Sequence, residues 1–535
     1  MDAALSSLST LISGKRRSEK GSKNWSEAFG MMDAYISGLH LSSCVSNISE
    51  RAIHVAGTKG KGSTCAMCES ILRHSLRGNN NNNKNKNNTP KTGLFTSPHL
   101  VDVRERIRIN GAPVAEDIFL QHFWELFHAC ERLADEHDKS NDVSSSSSSG
   151  GALPMPAYFR FMTLLALKIF DAENVDVAIF EVGLGGRLDA TNVLPKPLVT
   201  AVTPLGYDHM ELLGHTLGAI AREKAGIFKK GVPAFTVHQE DDAMESLRAR
   251  AAELDIPLYM PPSLPDDVVV GLAGQHQRVN AALAVALCLT WEARNKHAED
   301  VKAGDEAPSY LNEPITPEYR EGLQAARWPG RAQVEDDEPD PTGVGSDLTF
   351  YLDGAHTPES IAACADWFVD VAAKAPSPTP TRVLLFNCQE ERTPLALLQP
   401  LHERVAQGNV MFDRAMFVPP DSSTASLKKD GMPKDALTWQ QNLGAAWQGC
   451  ALGSGGTQPS SSSIAVMSTH AEAAASLAST SLPRSSPCVV PSLGEAIEAL
   501  RLYARGGGDR RKKVEVLVTG SLYLVGDVLR LLKRL

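Results

Sequence analysis

The chain has 535 residues, 42% of them hydrophobic and 22% charged, with a formal net charge of −10 at pH 7. This composition is typical of a globular protein and excludes a fully disordered chain, a collagen and a coiled coil. No run approaches the roughly 20 apolar residues of a membrane-spanning helix. The acidic balance gives no global basic surface for nucleic acid. We therefore expect neither an integral membrane segment nor a nucleic-acid partner.

Cysteine usage and the N-terminus bear on the compartment. The nine cysteines are an odd number, scattered along the chain, which favours reduced thiols in an intracellular compartment. The N-terminus lacks the long apolar core of a secretory signal. Its Ser, Lys and Arg residues leave mitochondrial import open, although Asp2 and Glu19 weigh against it. We expect a cytoplasmic protein, with a mitochondrial pool as the open alternative.

Short apolar strands alternate with helices through the first part of the chain. The pattern predicts strands at Ile53–Ala56, Thr92–Phe95, Val175–Phe180 and Leu198–Val202, and helices at Ser63–Leu76, Pro156–Phe170 and Thr216–Ile227. Such strands, separated by helices, indicate a parallel sheet covered on both faces. Polar tracts interrupt the pattern, and we place low-complexity insertions near 79–89 and 140–151.

A second β/α series begins after Arg331. It predicts strands at Thr349–Leu352, Arg382–Phe386, Ala415–Val418 and Glu515–Thr519, and helices at Ser360–Val371 and Leu524–Leu535. A stretch rich in Ser, Gly and Ala near 453–487 is expected to be a disordered insertion. The two series indicate two open α/β domains in tandem, with domains at 1–335 and 336–535.

A glycine-rich turn, Gly57-Thr58-Lys59-Gly60-Lys61-Gly62-Ser63, follows the first strand and opens a helix. Glycines let backbone amides approach phosphate oxygens, and the helix N-terminus favours an anion. Lys61 would neutralise β- and γ-phosphate charge, and Ser63 would place a hydroxyl near a metal ion. The spacing departs from the strict P-loop pattern, because Gly62 separates the lysine from the serine. The alternative is a plain glycine-rich turn.

Three polar residues stand just beyond other predicted strands. Ser97, Glu181 and His209 follow the strands that end at Phe95, Phe180 and Val202. Ligands of open α/β sheets bind beyond the carboxyl ends of the strands, and oxygen-rich ligation suits Mg²⁺ bridging the phosphates of ATP. Taken singly, these residues could instead be a turn initiator, a turn cap and a loop histidine.

Two further patterns are weaker. Cys65 and Cys68 form a CxxC that could bind zinc or act in redox chemistry, but no second pair has metal-ligand spacing. Buried thiols are the favoured interpretation. The stretch from Gly183 to Asp189 is also glycine-rich after a strand, but it lacks the acidic residue at ribose-binding spacing that a dinucleotide fingerprint needs.

An ordered set of motifs runs from near residue 50 to the C-terminus. It comprises His-Val-Ala-Gly-Thr-Lys-Gly-Lys-Gly-Ser at 54–63, Thr-Ser-Pro-His-Leu at 96–100, Arg-Glu-Arg-Ile-Arg-Ile-Asn-Gly at 104–111, Glu-Val-Gly-Leu-Gly-Gly-Arg-Leu-Asp-Ala-Thr-Asn at 181–192, Asp-His at 208–209, Glu-Lys-Ala-Gly-Ile at 223–227, Trp-Pro-Gly-Arg at 328–331, Leu-Asp-Gly-Ala-His at 352–356 and Val-Thr-Gly-Ser-Leu at 518–522. This set resembles the folylpolyglutamate synthases, the folate-ligase branch of the Mur ligase superfamily.

The resemblance implies a fold and roles for particular residues. The fold is α/β, with an N-terminal P-loop-type ATPase domain that has a mostly parallel sheet and a smaller C-terminal Rossmann-like domain. The implied catalytic residues are Lys61, Lys224, Asp353 and His356. The implied ATP contacts are Thr58, Lys59, Gly60, Lys61, Gly62, Ser63, Asn280, Arg331 and Asp353. The implied metal ligands are Ser97, Glu181, His209 and, if carbamylated, Lys224.

The resemblance also implies an activity. It is the ATP-dependent, ADP-forming ligation of L-glutamate to the γ-carboxylate of tetrahydrofolate polyglutamates through an acyl phosphate. ATP and Mg²⁺ are the implied cofactors, and a monovalent cation such as K⁺ is a further candidate. Thr357 stands where many bacterial relatives have Asn, which favours polyglutamylation. Two alternatives stay open: dihydrofolate synthase activity on dihydropteroate, and a catalytically silent nucleotide-binding protein. We expect a monomer.

Overall fold

The structure is a computed structural model, and it describes residues 1–12, 25–80, 90–140, 153–296, 299, 301–337, 347–374, 379–421, 437–452, 460–506 and 512–532. The chain divides into two compact units. The N-terminal unit comprises residues 1–99 and 103–327, and the C-terminal unit comprises residues 100–102 and 328–535. Within the described ranges, no helix is both long enough and apolar enough to cross a membrane.

The N-terminal unit is built on an eight-stranded sheet. Its strands in chain order are β1 (Ala52–Ala56), β2 (Thr92–Phe95), β3 (Ile107–Ile109), β4 (Ala112–Pro113), β5 (Val177–Glu181), β6 (Val199–Val202), β7 (Ala234–Thr236) and β8 (Leu258–Tyr259). The order across the sheet is β4-β3-β2-β5-β1-β6-β7-β8. Six neighbouring strands pair in parallel, in the order β2, β5, β1, β6, β7 and β8. Strands β3 and β4 add antiparallel pairs at the β2 edge.

Helices cover this sheet. The α-helices are Asp2–Ile12, Trp25–Gly38, Ser42–Ser49, Lys61–Asn80, Glu116–Ser140, Tyr158–Ala172, Met210–Leu213, Leu217–Lys224, Asp241–Glu253, Gln275–Lys296 and Pro317–Ala325, and the 3₁₀ turns are Val103–Arg106, Ala190–Val193, Ala225–Ile227 and Ser309–Asn312. All five residues of β1 are buried, as expected for a central parallel strand covered on both faces.

The strand register brings four strand ends to one edge of the sheet. Val55 of β1 pairs with Glu181 of β5, and Ala56 pairs with Val202 of β6. Phe95 of β2 pairs with Phe180. The carboxyl ends of β2, β5, β1 and β6 therefore lie side by side, which is where parallel α/β sheets bind ligands.

The C-terminal unit contains a six-stranded sheet in the order β13-β12-β11-β14-β10-β9. Its strands are β9 (Gln333–Asp336), β10 (Leu348–Leu352), β11 (Thr381–Phe386), β12 (Arg414–Phe417), β13 (Ser486–Val489) and β14 (Val514–Thr519). Only the edge pair of β9 and β10 is antiparallel. Its helices are Pro358–Ala372, Pro394–Gln407, Thr438–Leu452, His470–Ala478, Leu493–Arg505 and Leu522–Leu531, with a 3₁₀ turn at Ser461–Ser463. The predicted fold class, two α/β domains with mostly parallel sheets, is confirmed.

One expectation needs correction. Residues 460–487 were predicted to be disordered, but they contain the helix His470–Ala478 and the start of β13. The Thr469 hydroxyl caps that helix, and Ala473 and Leu477, four residues apart, are buried in the core of the C-terminal unit. This i, i+4 apolar spacing is enough for one amphipathic face, although the overall composition hides it. The remainder of that prediction, and nearly all of the two earlier insertions, lie outside the described residues.

Candidate active site

The turn from Gly57 to Ser63 joins β1 to the helix Lys61–Asn80. Gly57 and Gly60 have positive φ values of 144° and 82°. A Cβ at Gly57 would collide with the Thr203 side chain, and one at Gly60 would collide with the Asn280 side chain. Both positions therefore need glycine, for conformation and for space.

The backbone of this turn supplies amides at a helix N-terminus. The first hydrogen bond of the helix runs from the Thr64 amide to the Gly60 carbonyl oxygen. The amides of Lys61, Gly62 and Ser63 precede it, and such leading amides form an anion site together with the helix dipole. The Lys61 ammonium lies over the same turn, with Nζ 3.5 Å from the Thr58 carbonyl oxygen.

Ser97 and Glu181, both predicted metal ligands, are in direct contact. The Ser97 amide donates to Glu181 Oε2 at 3.0 Å, since β2 and β5 are neighbours and end together. Glu181 is buried. Burial raises the pKa of the Cys65 thiol well above its ordinary value, the Glu181 carboxylate adds to that rise, and Lys61 opposes it. The charges of Glu181 and Lys61 therefore both act on Cys65 in the phosphate-loop helix.

Lys224 ends the helix Leu217–Lys224 and is buried, with only 4% of its surface exposed. Its ammonium donates to the Gly57 carbonyl oxygen at 2.9 Å. Burial and then the charge of Lys61 lower the pKa of Lys224 to about 7, while the carboxylates of Asp208 and Asp189 act in the opposite direction. An amine with this pKa is partly neutral near pH 7, and the neutral amine is the nucleophilic form.

His209 is placed differently from the other predicted ligands. It follows β6, adopts a left-handed backbone with φ of 51°, and precedes the short helix Met210–Leu213. Its side chain is half exposed, and Nε2 lies 3.7 Å from Asp208 Oδ2. The structure therefore joins Ser97 to Glu181 and His209 to Asp208. The described residues contain no group of three or more His, Cys, Asp or Glu side chains arranged as a metal site.

Asn280 reaches the phosphate loop from the helix Gln275–Lys296. Its Nδ2 donates to Gln277 Oε1 at 3.0 Å, and Gln277 Nε2 donates to Ser63 Oγ at 3.3 Å. Both residues are 2% exposed. Asn280 Oδ1 is buried and has no hydrogen-bond partner within the described structure. A buried acceptor of this kind is costly, and it suits a site that a ligand donor completes.

In the C-terminal unit, three predicted site residues gather after β10. Asp353 Oδ2 accepts from the Ala332 amide at 2.8 Å, and Oδ1 accepts from the Ala355 amide at 2.9 Å. His356 Nδ1 lies 2.9 Å from the Gly354 carbonyl oxygen. The Arg331 guanidinium is packed so closely on Gly354 that a Cβ there would lie 2.9 Å from Nη1. Arg331, Asp353 and His356 thus form one local cluster.

Sequence reasoning gave no role to a buried network beside the phosphate loop. The Asp189 carboxylate accepts from the Leu184 amide, the Thr191 amide and the Thr191 hydroxyl. Thr191 Oγ1 lies 2.8 Å from His54 Nε2 in the middle of β1. Burial raises the pKa of Asp189. The glycine-rich stretch that ends at Asp189 is the sequence feature that could have indicated this network. As a dinucleotide-binding motif, that stretch is weak.

The cysteines are free thiols, and eight of the nine are buried. Cys65 and Cys68 are both buried within the phosphate-loop helix. Cys68 Sγ lies 3.8 Å from the Ala284 carbonyl oxygen, at a distance where it acts as a weak donor. The favoured interpretation of this pair as packed thiols therefore agrees with the structure.

Fold and site together define a two-domain α/β protein with a strand, a glycine-rich anion-binding turn and a helix at the centre of its N-terminal sheet. A scan against models of protein families found no match. The chain is 39% identical to a folylpolyglutamate synthase of Arabidopsis thaliana, over 100% of this chain and 88% of the relative. It is 37% identical to the mitochondrial folylpolyglutamate synthase of Bos taurus, over 90% and 83%.

Solved structures agree on the fold. The Mycobacterium tuberculosis folylpolyglutamate synthase complexed with ADP superposes with a TM-score of 0.66 at 22% identity, covering 100% of this chain and 99% of that one. The Escherichia coli FolC in complex with DHPP and ADP gives a TM-score of 0.62 at 22% identity, covering 99% and 97%. This chain belongs to the folylpolyglutamate synthase family, and the predicted resemblance is confirmed.

Proposed function

We propose that this chain is an ATP-dependent, ADP-forming ligase that adds L-glutamate to the γ-carboxylate of tetrahydrofolyl polyglutamates. The observation that carries the proposal is the full-length similarity to relatives named folylpolyglutamate synthase. The geometry supports it, because the phosphate loop, Glu181 and Lys224 meet at one edge of the N-terminal sheet. Solved relatives named as complexes with ADP or AMPPCP support ATP as the phosphoryl donor.

The phosphates are assigned to the turn that opens the helix Lys61–Asn80. The leading amides of Lys61, Gly62 and Ser63 would bind phosphate oxygens, with the Lys61 ammonium adding charge. Asn280 Oδ1, a buried acceptor, would take a donor from the nucleotide. In the C-terminal unit, Arg331 and Asp353 are proposed as nucleotide contacts, with His356 beside them. Thr58, Lys59 and Gly60 stay proposed ATP contacts, and the amides of Thr58 and Lys59 also shape the turn, because they donate to the Pro204 carbonyl oxygen.

Magnesium is proposed at Ser97 and Glu181, with His209 as a further ligand. The donor set fits: the Glu181 carboxylate and the Ser97 hydroxyl are oxygen donors, and both belong to strand ends that meet. Bound there, Mg²⁺ would neutralise phosphate charge as the γ-phosphoryl group moves. Lys224 is proposed to be carbamylated, since its lowered pKa leaves a neutral amine able to add CO₂. K⁺ is kept as a candidate monovalent cation.

The reaction follows from these assignments. The γ-phosphoryl group of ATP passes to the folyl γ-carboxylate, with ADP leaving and an acyl phosphate forming. The amine of L-glutamate then attacks the acyl carbon, and the resulting amide is released with inorganic phosphate. The residues of this chain contribute positioning and charge neutralisation, which is how phosphoryl transfer is generally accelerated.

Incorporation of radiolabelled glutamate tests the proposal. The purified chain should label a tetrahydrofolyl glutamate acceptor in the presence of ATP and Mg²⁺, and should label dihydropteroate far less. Preference for dihydropteroate would replace the proposal with dihydrofolate synthase activity. ATP binding without incorporation into either acceptor would instead establish a silent nucleotide-binding protein.

Location and assembly are also proposed. The Bos taurus and Homo sapiens relatives are named mitochondrial, which supports a mitochondrial pool beside the expected cytoplasmic one. Fractionation of the source cells tests this. The monomer stays a prediction, and sedimentation of the purified chain at micromolar concentration tests it.

A further inference from the structure

The phosphate loop rests on a second loop that follows β6, here called the support loop, residues 203–206. Its main contact is the Pro204 carbonyl oxygen, which accepts from the Thr58 amide at 3.2 Å and from the Lys59 amide at 3.0 Å. These two amides stand at the start of the phosphate loop. The support loop fixes them, whereas the amides of Lys61, Gly62 and Ser63 precede the first hydrogen bond of the helix.

Side chains reinforce the same contact. Thr203 Oγ1 donates to the Lys59 carbonyl oxygen at 2.7 Å, and Thr58 Oγ1 donates to the Gly206 carbonyl oxygen at 3.2 Å. The two loops approach so closely at Gly57 that any side chain there would collide with Thr203. The conformation of the phosphate loop is therefore tied to the conformation of the support loop.

Gln239, which follows β7, makes hydrogen bonds to the support loop. Its Oε1 accepts from the Leu205 amide at 2.9 Å, and its Nε2 donates to the Thr203 carbonyl oxygen at 3.1 Å and to Thr236 Oγ1 at 3.1 Å. Gln239 is 6% exposed. Both N–H groups and the oxygen of the amide are thus engaged, and two of the three bonds hold the support loop.

We propose that Gln239 is a positioning residue for the nucleotide site, acting through the support loop on the start of the phosphate loop. The inference rests on the proposed function, because it assumes that the phosphate loop binds a nucleotide. Removing the amide of Gln239 deprives the part-buried Leu205 amide and the buried Thr203 carbonyl oxygen of the hydrogen bonds that they make with it. The support loop then relaxes, and the phosphate loop loses the geometry that nucleotide binding requires.

The substitution Gln239→Met keeps the length of the side chain and removes its hydrogen bonds. Calorimetric titration with ADP and Mg²⁺ should show a Kd raised about tenfold or more, the loss expected when buried polar groups lose their partners. The KM for ATP should rise with it, while a cooperative unfolding transition is retained. An ADP affinity equal to that of the wild-type chain would overturn the proposal, whatever the loss of thermal stability.

A second pair of variants decides the question if Gln239→Met does not fold. Thr203→Val removes the hydroxyl that donates to Lys59. Thr290→Val is its matched control, because Thr290 is 1% exposed and accepts from the Tyr310 hydroxyl away from the phosphate loop. Thr203→Val should raise the Kd for ADP several-fold above that of Thr290→Val. Equal affinities in the two variants would overturn the proposal.

Failure of the proposed function is distinguishable from failure of this inference. A wild-type chain that binds ADP but incorporates no glutamate contradicts the ligase, while the ADP affinities of the variants still test Gln239. A wild-type ligase whose Gln239→Met variant binds ADP normally contradicts only the role of Gln239.

Discussion

Each unit of the molecule buries cationic side chains, and two of them, Arg382 and Lys224, differ in their partners. In the C-terminal unit, Arg382 Nε donates to Glu515 Oε2 at 2.9 Å and Nη2 donates to the Ala372 carbonyl oxygen at 2.9 Å. In the N-terminal unit, Lys224 donates to the Gly57 carbonyl oxygen, and burial and then the charge of Lys61 lower the pKa of Lys224. Arg382 is hydrogen-bonded to its counter-ion. The Lys224 ammonium instead donates to a carbonyl oxygen, and burial and Lys61 lower its pKa while the carboxylates of Asp208 and Asp189 oppose that change.

The different partners of Arg382 and Lys224 indicate a structural role for the first and a functional role for the second. Desolvation offsets much of the attraction in a buried ion pair, and removing one partner is strongly destabilising because it leaves an unpaired buried charge. A buried lysine whose pKa is lowered by burial and by a like charge is a candidate for a task such as reacting with CO₂ or holding an anion. The edge of the N-terminal sheet near Lys224 is therefore where the chemistry is expected, and the following changes test that contrast.

Lys61→Ala should have the largest effect on turnover. Removing the ammonium that neutralises phosphate charge should lower glutamate-dependent ADP release by about 100-fold or more, because such groups stabilise the transition state directly. Lys230→Ala, at an exposed lysine of the same unit, is the control and should retain activity. Turnover near the wild-type level in Lys61→Ala would contradict the phosphate-loop assignment.

Lys224→Ala should also abolish most activity, and short carboxylic acids such as acetate should restore part of it. The added carboxylate would occupy the space of the proposed carbamate and supply its charge. Activity is measured at increasing acetate, with Lys61→Ala at the same acetate as the control. Absence of any rescue across the acetate series would count against the carbamate.

Glu181→Gln should raise the Mg²⁺ concentration needed for half-maximal activity by about tenfold, since a neutral amide is a poorer ligand for a hard cation. The shape of the side chain and its acceptor for the Ser97 amide are retained. A Mg²⁺ titration at saturating ATP gives the value. An unchanged midpoint would remove Glu181 from the metal site.

Two methionine substitutions compare how Arg382 and Lys224 contribute to the free energy of unfolding. Arg382→Met should lower the free energy of unfolding by about 3 kcal/mol, because it leaves the buried Glu515 carboxylate without its counter-ion. Lys224→Met should leave the free energy of unfolding unchanged or raise it, because it removes a desolvated ammonium. Denaturant unfolding of both variants measures this. A loss in Lys224→Met as large as that in Arg382→Met would abolish the contrast.

The pH dependence of stability tests the lowered pKa of Lys224. The pKa of Lys224 falls from 10.5 to about 7 on folding, so between these values the unfolded chain binds the proton and the folded chain does not. The contribution of Lys224 to stability therefore rises as pH increases from 7 to 10. The free energy of unfolding of the wild-type chain, relative to Lys224→Met, should increase over that range in CO₂-free buffer. A flat difference would contradict the lowered pKa.

Much of the fold could be predicted because its signals are local. The strands β1, β5, β6, β10, β11 and β14 are short apolar runs bounded by turns, and the phosphate loop is one contiguous motif. The edge hairpin of β3 and β4 was missed, because its strands are only three and two residues long. The helix His470–Ala478 was missed because its apolar spacing lies within a stretch of Ser and Ala.

The site could be predicted only in part. Ser97 and Glu181 were expected to meet because strand ends share an edge. The burial of Lys224 against Gly57 joins residues 167 positions apart, and no local pattern indicates it. The role of Gln239 likewise depends on three tertiary hydrogen bonds. Long-range packing of this kind leaves no periodicity in the sequence.

The stoichiometry of the reaction tests the central claim most directly. The purified chain, given ATP, Mg²⁺, L-glutamate and a tetrahydrofolyl glutamate, should release one ADP for each glutamate joined, and ADP release should stop when either acceptor or glutamate is omitted. Release of ADP that is independent of both substrates, or glutamate joined without ADP formation, would contradict an acyl-phosphate ligase built on this phosphate loop.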